Sequence, residues 1–119
     1  MTLQTSVRQI QADTAVVTWA GSLTLGMGLK VADAQIQSLI ERGVCRMVLD
    51  LTAVPYIDSS GLGALVHTYG LMQQRKRSLR LCGVTERVAA LLKMTTTDSF
   101  LPVDADAAAS LAALDASVA

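Results

Sequence analysis

Apolar residues recur along this chain in two spacings, short dense runs and helical repeats. The dense runs predict five strands, at residues 3–10, 15–20, 45–51, 79–82 and 99–103. The helical repeats predict four helices: one with Leu29, Ala32, Ile36, Leu39 and Ile40, closed by Gly43; one over residues 60–74; one burying Val88, Leu91 and Leu92; and one burying Ala107, Leu111 and Leu114. The chain therefore alternates strands with helices over most of its length.

The order of these elements predicts an α/β (α+β) fold. The short turn at residues 12–14 makes the first two strands an antiparallel hairpin, whereas the later strands are separated by helices. We expect one domain over residues 1–119, with a frayed tail from about residue 115. Its mixed sheet of about five strands should carry the helices mainly on one side. Right-handed crossovers bring the ends of three parallel strands, and the loops that leave them, to one edge.

Polar residues at the predicted helix starts indicate where those helices are capped. Thr85 stands before the helix with Val88, and Asp104 stands before the last helix. The second helix of the prediction has Leu62, Leu65, Val66, Tyr69 and Met72 on its apolar stripe.

The tract from Val48 to Leu65 carries the candidate chemistry of the chain. An apolar strand runs into a turn, and the turn delivers Asp58, Ser59 and Ser60 to the start of a helix. Unpaired backbone N–H groups and the positive end of the helix dipole lie there, and such a place accepts a phosphate. Helix capping explains the same residue types without regulation. We expect one of the three side chains to cap the helix and Ser59 to face solvent.

The segment Asp58-Ser59-Ser60-Gly61-Leu62-Gly63, after the strand Val48-Leu49-Asp50-Leu51-Thr52, resembles the signature of STAS domains. Among these it is most similar to the bacterial anti-sigma factor antagonists, and the order of elements agrees over nearly the whole chain. In that family the serine directly after the Asp is phosphorylated, which implies this role for Ser59. The resemblance implies a partner that is both an anti-sigma factor and a serine kinase, and a serine phosphatase that resets the cycle.

The expected partner-binding residues surround Ser59: Thr24, Tyr56, Asp58, Ser60, Gly61, Leu62 and Gly63. By resemblance, Asp58 orients the loop and Gly61 allows a partner to approach closely. Phosphate would add a charge of about −1.5 to −2 that a docking partner must desolvate, so docking fails. The fold is spared because the helix N-terminus accommodates the anion.

The chain departs from the family pattern at Ser22 and Thr24, where the family commonly carries two acidic residues. That loop is expected beside Ser59, so the departure bears on the kinase contacts and on the identity of the partner. It leaves an alternative open: a non-switching STAS adaptor or scaffold subunit in a stress-signalling or transporter complex.

Composition disfavours several other classes of function. Ten basic and ten acidic residues give no net charge, so neither a nucleic acid nor an anionic membrane is indicated as partner. No apolar run reaches the ~18 residues of a membrane span, and the first residues do not resemble a signal peptide, so we expect a cytoplasmic protein. The unrelated spacing of Cys45 and Cys82 predicts two free, buried thiols.

The residues of the chain do not favour an enzyme. Ser59 lacks the Gly-x-Ser-x-Gly elbow of a hydrolase, and the single histidine, His67, is predicted on the solvated face of its helix. The glycines of residues 21–30 are not followed by the Lys-Ser or Lys-Thr of a phosphate-binding loop. Asp50 is expected to accept hydrogen bonds from nearby backbone. We therefore expect no catalysis, no cofactor and no metal.

Overall fold

A computed structural model describes residues 3–116 of the chain. The strands are β1 (Gln4–Gln11), β2 (Thr14–Ala20), β3 (Arg46–Ala53), β4 (Ser78–Cys82) and β5 (Val103–Asp104). The helices are α1 (Met27–Glu41), α2 (Ser59–Gln74), α3 (Glu86–Met94) and α4 (Ala107–Ala116), with a 3₁₀ turn at Thr97–Ser99. The predicted α/β order with an N-terminal hairpin is confirmed.

The five strands form one mixed sheet in the order β1-β2-β3-β4-β5. β1 pairs with β2 antiparallel, and every later pair is parallel. Each helical crossover therefore returns the chain to the next strand in line, and the loops after β2, β3 and β4 leave from one edge of the sheet. This is the edge at which the sequence predicted the motif.

The core lies on both faces of the sheet, unequally. The larger cluster packs α1, α2 and α3 on one face, with Trp19, Leu49 and Leu81 of the strands buried beneath them. The smaller cluster lies on the other face, where α4 buries Leu114 against Val16, Val48 and Cys82. Three of the four helices thus share a face, as predicted.

The predictions for the cysteines, for the buried face of α2 and for the cap of α3 are largely confirmed. Cys45 and Cys82 are both free; Cys82 is buried and Cys45 is half-buried. On α2 the structure also buries Gly61 and Thr68, which the apolar pattern did not include. The predicted cap of α3 is confirmed, because the Thr85 hydroxyl accepts the N–H of Val88 at 3.4 Å.

The predicted last strand at residues 99–103 is wrong in its position. The N–H groups of Phe100 and Leu101 donate to the Thr97 carbonyl, so the chain turns on itself up to residue 101. Pairing begins only where the Leu81 N–H donates to the Pro102 carbonyl at 2.8 Å, and β5 is short as a result.

Asp104 is not the cap of the last helix. It lies in β5, and Asp106 caps α4 instead, accepting the N–H of Ala109 at 2.8 Å. The frayed tail expected from about residue 115 lies in part outside the described residues, and α4 includes residues 115 and 116.

Asp104 holds β4, β5 and α4 together. Its carboxylate accepts from Arg80 Nε at 2.6 Å and Nη2 at 3.1 Å, and from the hydroxyl of the buried Ser110 at 2.7 Å. The hydrogen bond from Arg80, followed by that from Ser110, holds the pKa of Asp104 below its usual value. The charged form is therefore the one that anchors α4.

Asp104→Asn should lower the free energy of unfolding at pH 7 by about 2 kcal/mol, because a shielded Arg80 loses its charged partner. Urea denaturation measures this. Asp115→Asn is the control, since Asp115 is 78% exposed and meets Arg46 only at 3.7 Å, and it should cost less than about 0.5 kcal/mol.

The same pair predicts a pH dependence. A carboxylate whose pKa is lowered by folding stabilises the protein above its ordinary pKa, 3.8 here, and this stabilisation is lost as the pH falls through the folded value. The difference between the natural chain and Asp104→Asn should therefore shrink below pH 3.8. A difference that is constant or grows on acidification would contradict the assignment.

Candidate functional site

The segment between β2 and α1 is joined to the turn between β3 and α2 by backbone hydrogen bonds. Leu23 and Ile57 form a parallel bridge, in which the Leu23 N–H donates to Tyr56 and the Asp58 N–H donates to the Leu23 carbonyl, at 3.0 and 3.2 Å. The Thr85 hydroxyl also reaches the Val54 carbonyl at 3.3 Å. The three loops at this edge of the sheet therefore form one connected surface.

Gly61 allows these segments to meet. A Cβ atom added to Gly61 would lie 2.0 Å from the carbonyl oxygen of Leu23, a distance that no side chain tolerates. Gly61 is buried in this contact. The close approach seen at Gly61 is made by the backbone of this chain, and its predicted contact with a partner stays a prediction.

Asp58 caps α2 and also holds the neighbouring segment. One carboxylate oxygen, Oδ1, accepts the N–H of Gly61 at 2.8 Å, while the other, Oδ2, accepts the N–H of Leu25 at 3.1 Å. The hydrogen bond from Gly61, and then that from Leu25, keeps the pKa of Asp58 below its usual value. The expectation that one of the three polar side chains caps the helix is confirmed for Asp58.

Ser59 is the first residue of α2, and its side chain is exposed. Ser60 and Thr24 are half-buried, and Gly63 is exposed with open space where a Cβ would be. Leu62 is half-buried and packs against the main core. The serine singled out by the sequence is therefore open to another protein.

Two mainly apolar grooves adjoin the motif, one bordered by Ser60 and the other by Tyr56 and Ile57. The first, of about 300 Å³, separates α1 from α2 and has Leu25, Leu29, Gly63 and Ala64 in its walls. The second, of about 280 Å³, lies between the motif and α3 and is lined by Tyr56, Ile57, Leu91 and Met94 among others. The Arg87 guanidinium lies 4.8 Å from the centre of the Tyr56 ring, a cation–π contact that holds this exposed ring in place.

Several residues of this surface carry no signal in the sequence. Leu25 is 75% exposed, Met27 is 72% exposed and Met94 is 77% exposed, although large apolar side chains are usually buried. Leu25 and Met94 each line one of the two grooves, and apolar patches exposed beside a groove are typical of contact surfaces. An unexpectedly exposed residue is visible only once the packing is known, so the pattern of the chain could not indicate them.

The first turn of α2 offers less to an anion than the sequence suggested. The N–H of Gly61 is taken by Asp58, and the N–H of Leu62 donates to the Asp58 carbonyl at 2.9 Å. A carboxylate kept ionised by its hydrogen bonds already occupies the position. A phosphate on Ser59 would therefore meet a like charge beside it and would have to compete with that carboxylate for the Gly61 N–H.

The remaining candidate residues have ordinary structural roles. Asp50 accepts the N–H of Thr52 at 3.0 Å and its hydroxyl at 2.6 Å, as expected from local donors. His67 is exposed, on the rim of the first groove. Within residues 3–116, no cluster of His, Cys, Asp or Glu is arranged to hold a metal. None of the helices described is long and apolar enough to cross a membrane.

Comparison with known families gives a match over most of the chain. The family model described as STAS domain matches residues 5–109. The anti-sigma-B factor antagonist of Listeria monocytogenes is 26% identical over 103 residues, which are 87% of this chain and 90% of that protein.

Solved structures of this fold are also similar. A putative anti-sigma factor antagonist from Thermotoga maritima superposes with a TM-score of 0.85 at 17% identity, covering 93% of this chain and 94% of that one. The Bacillus cell fate determinant SpoIIAA, solved in its phosphorylated form, has a TM-score of 0.71 at 13% identity, covering 95% and 98%. At these identities the likeness concerns the fold.

Two glycines of one helix give opposite predictions. Gly61→Ala should lower the free energy of unfolding by about 2 kcal/mol, because the new methyl group displaces the Leu23 backbone. Gly63→Ala has open space and should raise it by about 0.5–1 kcal/mol through helix propensity. Urea denaturation of both variants tests the contact. Equal effects would mean that the Leu23–Gly61 approach is looser than described.

Proposed function

The chain belongs to the STAS domain family, and from this we propose that it is an anti-sigma factor antagonist switched by phosphorylation of Ser59. In its unmodified form it binds an anti-sigma factor that is also a serine kinase, and phosphate on Ser59 ends the complex. A serine phosphatase returns the chain to its binding form. The chain acts in the cytoplasm as a substrate and binding partner, without catalysis of its own.

The observation that carries this proposal is the exposure of Ser59 at a helix start whose cap is supplied by its neighbour. Asp58 accepts from Gly61 and Leu25, so the hydroxyl of Ser59 is not needed to hold the fold. A kinase needs such a hydroxyl, exposed and without a structural task. SpoIIAA, a protein with this fold, has been solved in a phosphorylated form, which supports a phosphorylated form of this chain.

The surroundings of Ser59 suit a protein partner. Two mainly apolar grooves adjoin the motif, one lined by Leu25 and Ser60 and the other by Tyr56 and Met94. A neutral hydroxyl close to apolar patches lets a partner bury the surface at little cost in lost hydration. Thr24, Asp58, Ser60, Leu62 and Gly63 lie around this centre, so we keep them as the proposed contact region, with Gly61 supporting it from beneath.

Phosphate changes this surface by its charge. About −1.5 to −2 charges would be added beside the ionised Asp58. Two unit charges 4 Å apart repel by about 1 kcal/mol in water and about 4 kcal/mol near a protein surface, so a partner that excludes water makes the repulsion worse. The phosphate is therefore compatible with the free chain in solvent and incompatible with the complex.

The presence of Ser22 and Thr24 where the family commonly has two acidic residues favours one alternative function, that of a non-switching adaptor. Both hydroxyl residues are half-buried in the segment joined to the motif, so this part of the contact region lacks the negative charges of its family. A non-switching STAS adaptor or scaffold, in a stress-signalling or transporter complex, would bind its partner through the same grooves without phosphate transfer.

A phosphorylation assay distinguishes the switched antagonist from the non-switching adaptor. Incubation with an anti-sigma factor kinase from the same genome and ATP should add one phosphate, seen by intact-mass analysis, and Ser59→Ala should abolish it while Ser60→Ala keeps it. A stable complex with no added mass would support the adaptor instead.

A charge at position 59 should act on binding and leave folding almost unchanged. Ser59→Glu should weaken binding of the anti-sigma factor by about 2 kcal/mol, roughly thirtyfold, whereas the neutral Ser59→Gln of equal size should lose much less. Both variants should keep the free energy of unfolding within about 0.5 kcal/mol. Titration calorimetry and urea denaturation test this; a Ser59→Glu variant that unfolds, or that binds as well as Ser59→Gln, would contradict the switch.

A further inference from the structure

Asp58 is shared between two parts of the chain. Its Oδ1 accepts from Gly61 in the first turn of α2, and its Oδ2 accepts from Leu25 in the segment before α1, at 2.8 and 3.1 Å. The two oxygens belong to one rigid planar group. Because both oxygens belong to one carboxylate, a displacement of this group away from both segments weakens the Gly61 and Leu25 hydrogen bonds together.

The position of Leu25 depends on the hydrogen bond from its N–H to Asp58 Oδ2. The side chain of Leu25 is 75% exposed and forms part of the wall of the groove between α1 and α2. The next residue, Gly26, stands at the N-cap of α1 and offers no side-chain cap. Among the described residues, Asp58 provides the one side-chain hydrogen bond to the backbone of residues 24–28. The Leu23–Ile57 bridge holds the chain two residues earlier, and the Asp58 hydrogen bond holds Leu25 itself.

A phosphate on Ser59 acts on the same carboxylate. Ser59 follows Asp58 directly, so the two anions would lie side by side at the start of α2. The phosphate repels the carboxylate and also brings three acceptor oxygens that compete for the N–H groups of Ser60 and Gly61. These two effects favour the same displacement of Asp58.

We infer that Asp58 is a positioning residue that transmits the charge of phosphorylated Ser59 to Leu25. The phosphate displaces the carboxylate from the Leu25 N–H by repulsion and competition, and the apolar Leu25 side chain leaves its place in the groove. This inference rests on the proposed function and adds a second effect to it: the phosphate both charges the contact region and disorders one of its apolar walls. The sheet and the helices keep their positions.

Hydrogen exchange of single amides tests the inference on the free chain. Phosphoserine is incorporated at position 59 during synthesis, and exchange is followed by NMR without any partner. The Leu25 amide should exchange about tenfold faster than in the unmodified chain, as expected for one lost charge-assisted hydrogen bond. The Leu23 amide, which donates to Tyr56, is the internal control and should stay unchanged. Added negative charge slows hydroxide-catalysed exchange, so a faster rate reports the lost bond.

Asp58→Asn separates the two hydrogen bonds. Asparagine caps helices about as well as aspartate, but it has one acceptor oxygen, so it keeps Gly61 and releases Leu25. The unmodified Asp58→Asn variant should already exchange its Leu25 amide about tenfold faster, and phosphoserine at position 59 should add little more. An equal effect of phosphoserine in Asp58→Asn and in the natural chain would show that Asp58 does not transmit it.

The outcomes for the two proposals are distinct. Unchanged Leu25 exchange in the phosphoserine chain overturns the inference, even where phosphoserine blocks the partner and the proposed function stands. An acceleration of Leu25 exchange by phosphoserine that occurs in the natural chain and not in Asp58→Asn supports the inference, even where no anti-sigma factor binds and the proposed function fails.

Discussion

The contact between the segment after β2 and the start of α2 determines the exposed edge of this protein. The Leu23 carbonyl lies where a side chain on residue 61 would be, and the Leu23–Ile57 bridge continues the sheet beyond its strands. Because this contact fixes the first turn of α2 from beneath, the residues on the upper side of that turn face solvent. The position of Ser59 is a consequence of the packing of Gly61.

The polar groups at this edge already form hydrogen bonds with one another in the free chain. Asp58 accepts from both neighbouring segments and is kept ionised by doing so. The Asp58 carboxylate is therefore the anion that lies at the start of α2. A second anion on Ser59 gains little from the helix and repels the first, which is the property that a reversible inhibitor of docking requires.

Sequence patterns predicted the architecture and the motif because both depend on local order. Strands, helices, the Thr85 cap and the solvated His67 all follow from spacing and residue type within one segment. The last strand was misplaced because Leu101 suggested pairing, whereas turns to Thr97 and the missing N–H of Pro102 delay it.

Contacts between segments that are distant along the chain could not be predicted from the sequence. The hydrogen bonds from Arg80 to Asp104 and from Leu25 to Asp58 each join residues more than twenty positions apart, and no local pattern indicates them. The apolar exposure of Leu25 and Met94 is likewise a property of the packed molecule. The sequence thus pointed to Ser59 as the candidate for modification, and the structure describes the surface around it.

The account rests on the claim that a partner binds the face centred on Ser59. Hydrogen exchange of the chain, alone and saturated with its anti-sigma factor, measures this directly. The account predicts slower exchange in residues 22–30 and 56–64, with the β1 edge and α4 unaffected. Protection confined to β1 or α4, with residues 56–64 exchanging as in the free chain, would contradict it.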